Sequence, residues 1–395
     1  MRSLRTGAWL TAERIRVYSW ILIVLWTLGL AGVVATSSDY RDAFGRPLGT
    51  DFANVWTAGA MALDGHAAAV WEPEAHHAVQ LRVFGPGSPF YGWHYPPFFL
   101  LVASVLALMP YGLALGVWLA GTIPLYLRAL KGIVSDRLAT LAAVAFPGVA
   151  VTAIHGQNGF LTTALFAGAL MQLERRPYVS GVLFGLMAYK PQFGLLVPVA
   201  LAVSGRWRAF GAASLTVAML AGISTLAFGM EIWDAFLAST RFTRDVVLEA
   251  GALAWEKQQS AFAAVRLWGG TVELAYGAQA AMAVFSAFGV AWLWRGRAAF
   301  AVKAAGLVCG ALLATPYVLD YDMVIVAPAI AWMAAHGMKH GFLDWEKTVL
   351  ALAWIAPLVA RASALAINFP LGLIVLTALF LLILRRAWMD GPNFR

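Results

Sequence analysis

Apolar runs with no charged residue recur along the chain, and they limit its fold before anything else does. The run from Val17 to Ala35 holds 19 residues, about the length that a helix needs to cross a bilayer. Charged residues make up 12% of the chain and hydrophobic ones 61%, with a mean hydropathy of +0.73. Soluble chains carry about 25% charged residues, so soluble and disordered classes are excluded. The apolar blocks are Leu/Ala/Val/Phe-rich and lack the alternating ten-residue segments of a closed barrel. The expected fold class is therefore all-α, a polytopic integral membrane helical bundle.

The net charge of +8 sits in short basic clusters between apolar blocks, where such clusters orient spans in a membrane. This reading excludes a nucleic-acid partner. The single cysteine, Cys309, lies in an apolar run and has no partner for a disulfide or a thiolate metal site. Arg2, Arg5, Arg14 and Arg16 precede the first block, and Val33-Val34-Ala35 resembles a signal-peptidase site. The apolar stretch is longer than the 7–15 residues of a signal core, so it is expected to remain as a spanning helix.

Further candidate spans are 111–127, 138–154, 160–173, 178–189, 191–203, 208–228, 271–294, 299–314, 322–336, 347–366 and 370–384, about twelve in all with the first. The stretch 97–109 begins at Pro96-Pro97 and ends at Pro110. It is too short for a crossing and reads as a half-helix near the interface. With the N-terminus cytoplasmic and alternate connections tallied, 19 of the 28 Lys/Arg, Arg395 among them, fall inside and most acids fall outside. Both termini and the Arg175-Arg176 turn are then cytoplasmic. Two long segments, about 37–96 and 229–270, lie outside, with amphipathic helical stretches at 51–63 and 72–83. The chain 1–395 reads as one membrane-embedded domain, since no fixed-period repeat or low-complexity tract divides it.

Polar residues are sparse enough to be weighed singly. Asp51 stands just before an amphipathic helical stretch, which suits either a helix cap or a general base at the membrane surface. Trp93-His94-Tyr95-Pro96-Pro97 is either an aromatic-belt anchor or a substrate-facing motif, and His155-Gly156-Gln157-Asn158-Gly159 is a polar tip whose Gln157 and Asn158 suit sugar hydroxyls. Tyr189-Lys190-Pro191-Gln192 separates two apolar runs of about a dozen residues and places a lysine deep in the membrane. A cation there marks a functional site or is paired structurally. Thr315-Pro316-Tyr317-Val318-Leu319-Asp320-Tyr321-Asp322 is a further polar turn. Asp320 and Asp322 are a second acid/base pair, a partner for Lys190, or solvated residues of a helix start. The histidines and carboxylates of the outer segments form no metal-binding motif, so no metal and no cofactor are expected.

In order and spacing these motifs, together with Gln258-Gln259-Ser260-Ala261-Phe262, resemble the polyprenyl-phosphate-dependent glycosyltransferases of the GT-C superfamily. They are most similar to the mannosyltransferase-like glycosyltransferase family 87. The resemblance implies a GT-C-like bundle in the cell membrane, with a polyprenyl-phosphate-linked sugar as donor, usually mannose. It implies a glycolipid or glycan acceptor at the outer leaflet and inversion at the anomeric carbon. It places the base at Asp51 and phosphate contact at Lys190, with His94, Tyr95, Gln157, Asn158 and Gln192 on the donor side. Asp320, Asp322, Tyr317 and Gln258 are candidates for the acceptor side or a second acid. The turn after Thr315 carries Asp-Tyr-Asp where some relatives carry a histidine. Rival readings are a lipid or solute transporter or flippase, and a ligase or polymerase of lipid-linked glycans.

Overall fold

The structure is a computed structural model, and it describes residues 1–391. Arg395, counted in the charge tally above, lies outside the described residues. The regular elements among the described residues are all helices, and strand-like pairing is confined to isolated bridges such as Gln258 with Leu319.

Six helices are long and apolar enough to cross a membrane: Ala12–Ala35, Tyr111–Ile133, Trp207–Phe228, Val272–Arg295, Glu346–Ile367 and Leu371–Met389. A seventh crossing arises if Arg137–Ala145 and Pro147–Ile154, bent by 42°, act as one. The bend follows from Pro147, which has no N–H to donate and forces Phe146 into an extended conformation (φ −54, ψ 124). The expected twelve crossings are thus not seen. Gly159–Gln172, Pro177–Tyr189, Pro191–Val203 and Phe300–Ala314 are apolar but shorter. At 1.5 Å per residue, about 14 residues reach only some 21 Å, against a hydrocarbon core of about 30 Å. The stretch expected at 322–336 starts as a 3-10 turn, Asp320–Val326, and becomes α-helical only at Ala327–His340.

Other expectations match. Phe99–Ala107 is a nine-residue half-helix. The first long segment contains helices Phe52–Leu63 and Pro73–Phe84, and the second contains Glu231–Phe242 and Ala261–Leu267.

Close packing rests on small residues. Gly181 and Gly185 lie one turn apart on Pro177–Leu186 and face Trp207–Phe228, where a Cβ on Gly181 would stand 2.3 Å from the carbonyl oxygen of Ala209. This is the small-xxx-small contact by which membrane helices approach without a hydrophobic driving force. The helix Phe52–Leu63 packs the same way on the half-helix, Gly59 against the carbonyl of Ala103.

Buried apolar residues gather in two clusters. The larger joins Tyr126, Phe166, Phe193, Leu312, Val324 and Phe380; the smaller joins Phe52, Trp71, Trp93, Phe99, Trp118 and Tyr189. Their seam runs between Tyr189, in the smaller cluster, and Lys190. At the opposite end of the bundle the N-terminal helix Arg2–Thr6 and the last helix meet one segment. Arg5 Nε donates to Asp344 at 2.6 Å and Arg385 Nη1 to the Asp344 carbonyl at 2.8 Å. Arg386 there is buried between Glu346 (3.0 Å) and Asp390 (3.0 Å).

Candidate active site

The site forms where two glycine turns lock together. Gly49 (φ +67) and Gly156 (φ +59) both need the left-handed region, and a Cβ on Gly156 would meet Phe52 Cβ at 2.7 Å. Across this contact Phe52 N donates to the His155 carbonyl (3.2 Å), and the Thr50 hydroxyl bonds His155 Nδ1 (2.6 Å). The turn at 155–158 thereby fixes the start of the Phe52–Leu63 helix.

Asp51 occupies the residue before that helix, yet its side chain makes no capping hydrogen bond. Its Oδ2 instead accepts from Gln157 Nε2 at 2.6 Å. Gln157 Oε1 accepts from the Tyr95 hydroxyl (3.4 Å) and from Asn158 N (3.2 Å), and Asn158 Nδ2 donates to the Tyr95 oxygen (2.8 Å). Asp51, Tyr95, Gln157 and Asn158 therefore form one network, with Tyr95 edge-on to Trp93 and against Phe99. The half-buried carboxylate is oriented by a neutral donor and keeps its second oxygen free to accept.

A second group adjoins it. Lys190, at the break between Met187–Tyr189 and Pro191–Gly194, is 5% exposed and donates to Asp322 Oδ1 at 2.7 Å. Asp322 Oδ2 accepts from Leu319 N (3.1 Å), so the pair also pins the turn at 319–322. Lys190 Nζ stands 5.5 Å from the ring of Tyr321, and that ring lies 5.7 Å from the ring of His155. Tyr321 thus stands between the Asp51 turn and the Lys190 pair, within the field of both Asp51 and Asp322. Among the alternatives that the residue types allowed, Asp322 proves to be the partner of Lys190.

Asp320 is also buried, with Arg361 Nη1 at 3.9 Å and the charges of His155 and Lys257 acting on it. Arg361 did not stand out in the sequence. The available signal for Arg361 was a cation inside an otherwise apolar run, near the end of Glu346–Ile367.

The other candidates are placed differently. His94 Nδ1 bonds Thr243 Oγ1 (2.9 Å). The residue is solvent-exposed beside the buried Trp93 and Tyr95. Tyr317 donates its hydroxyl to the Thr243 carbonyl (2.6 Å), and Gln258 Nε2 donates to the Leu253 carbonyl (2.9 Å). Both hold the second long segment in place. Gln192 is half-buried and makes no hydrogen bond among the described residues. No group of three or more His, Cys, Asp or Glu placed to hold a metal occurs among the described residues.

No curated protein and no solved structure matches the chain. The family model of glycosyltransferase family 87 matches residues 93–316, from the Trp93 motif through the Lys190 break to Thr315-Pro316. This is more than half of the 395 residues. With six helices long and apolar enough to cross a bilayer, the chain is a membrane protein that belongs to glycosyltransferase family 87.

Proposed function

We propose that the protein moves a hexose, mannose in the first instance, from a polyprenyl-phosphate donor to a hydroxyl of a glycolipid or glycan at the outer leaflet of the cell membrane. The whole chain acts as one unit, with both termini cytoplasmic and the Asp51 site on the outer side. The reading rests on one observation above all: Asp51 heads a helix without capping it and is held by Gln157 at 2.6 Å, the arrangement of a positioned base.

In a single displacement the acceptor oxygen forms its bond to the anomeric carbon as the bond from that carbon to the phosphate oxygen breaks. The acceptor proton passes to Asp51, and the electron pair leaves with the phosphate. Such a base contributes typically 10²–10⁴-fold. The departing phosphate needs donors aimed at its oxygens. Lys190 offers N–H groups beyond the one on Asp322, but the ion pair is neutral overall, so Arg361 and Lys257 beside Asp320 supply the remaining positive charge. The polyprenyl tail contributes binding energy remote from the reacting carbon.

The test is transfer by the purified chain from a polyprenyl-phosphate mannose to a membrane glycolipid extract, with a nucleotide sugar in parallel. A labelled lipid product from the polyprenyl donor alone is expected. Transfer from the nucleotide sugar alone would overturn the proposal.

A further inference from the structure

At the end of the bundle remote from Asp51 a groove of about 690 Å³ opens behind the helix Ala12–Ala35. Tyr111–Ile133 shows the separation. Its first residue, Tyr111, donates to the Leu48 carbonyl beside the Asp51 turn, whereas Tyr126, Leu130 and Lys131 near its other end line the groove. The outer wall is the first half of Ala12–Ala35, and only 11% of that helix's apolar window is buried in the bundle. A helix so little covered faces lipid, which makes the groove continuous with the bilayer.

We propose that this groove holds one anionic phospholipid, its acyl chains along the apolar wall and its phosphate between Lys131 and Lys347. Charge carries the assignment. Lys131 is exposed and forms no ion pair or hydrogen bond among the described residues, and Lys347 stands 5.1 Å over the ring of Phe342 and forms no ion pair among them. The one acid in the lining, Asp136, is engaged in capping Arg137–Ala145 through Ala139 N (3.0 Å). The lining thus carries two cations against one carboxylate, with neither lysine ion-paired among the described residues, and a head group of net negative charge balances the excess. Deeper along the same wall Ser19 Oγ is fully buried with no hydrogen-bond partner, and it lines the groove where the ester carbonyl of such a lipid would pass. The site is independent of the catalytic reading above.

Native mass spectrometry of the full chain released from detergent, with phosphatidylglycerol and phosphatidylcholine offered in competition, tests the proposal. One phosphatidylglycerol per chain is expected, and it should raise the melting temperature where phosphatidylcholine and inorganic phosphate do not. Lys131→Gln with Lys347→Gln should reduce that preference about 30-fold, at about 1 kcal/mol for each lysine. Ala334→Phe, which narrows the groove but leaves the charges, should lower occupancy by both lipids. Circular dichroism of each variant establishes that it is folded, and folded variants that bind like the parent would overturn the proposal. So would equal retention of the two lipids, stabilisation by inorganic phosphate alone, or a polyprenyl phosphate in the groove.

Discussion

Lys190 and Asp322 lie 132 positions apart and meet as a buried ion pair with Nζ and Oδ1 separated by 2.7 Å. The contact ties the break between two short helices to the turn that carries Asp320 and Tyr321. Removing one partner leaves an uncompensated buried charge, at a cost of about 3–5 kcal/mol. Asp322→Leu should therefore lower the melting temperature sharply, and adding Lys190→Met should restore most of it, because well-packed apolar pairs replace buried ion pairs at little cost. Transfer should remain impaired in the double variant if the lysine also meets the leaving phosphate. Melting curves and transfer rates of the two variants separate these roles, and full activity in the double variant would confine the pair to structure.

Asp51→Asn keeps an oxygen for Gln157 Nε2, so the fold should be retained while transfer falls at least about 10²-fold. Gln157→Leu leaves the carboxylate in place without its donor and should cause a smaller loss, in kcat more than in KM. Parent-like turnover by a folded Asp51→Asn variant would exclude the base.

Acid should destabilise the first long segment through His76. Burial pushes His76 to about 3, with further downward pressure from the charge of His94. This lies below the ordinary value of about 6.5. The unfolded chain therefore takes up the proton first, and stability present at neutral pH declines as pH falls through about 6.5 toward the folded value. Melting between pH 7 and pH 5 should show the decline, and His76→Gln should flatten it.

Gly181→Val places a side chain against the Ala209 carbonyl and Ala212 Cβ. It should destabilise the Pro177–Leu186 contact by about 1–3 kcal/mol, read as a lower melting temperature with the donor requirement unchanged.

Glu72 is exposed at the start of Pro73–Phe84, and a cysteine there should react with an impermeant thiol reagent in intact cells. Protection from labelling would place the site on the other side of the membrane.

Much of this architecture was legible because helices in a bilayer obey simple length rules. The half-helix after Pro97 and the break at Lys190-Pro191 both announce themselves through prolines beside short apolar runs. The number of crossings was not legible. Apolar composition does not separate a helix that crosses from one such as Gly159–Gln172, which ends inside the bundle at the polar turn holding Gln157 and Asn158. The partners of Asp51 and Lys190 were equally hidden, since Gln157 and Asp322 lie 106 and 132 positions away and no local pattern encodes such a contact. Arg361 escaped notice because only the folded chain brings it to Asp320.

The seam between Tyr189 and Lys190 has a mechanical meaning. One residue is stacked on Phe99 (ring centroids 4.7 Å apart) in the smaller cluster, while the next is anchored to Asp322 beside the larger. Adjacent residues of one short segment are therefore committed to different sides of the core, joined by one peptide link. A shift of the Phe99 side at this point would reach the Lys190 amino group through that one link, so a lipid pressing on the aromatic cluster would be felt by the lysine.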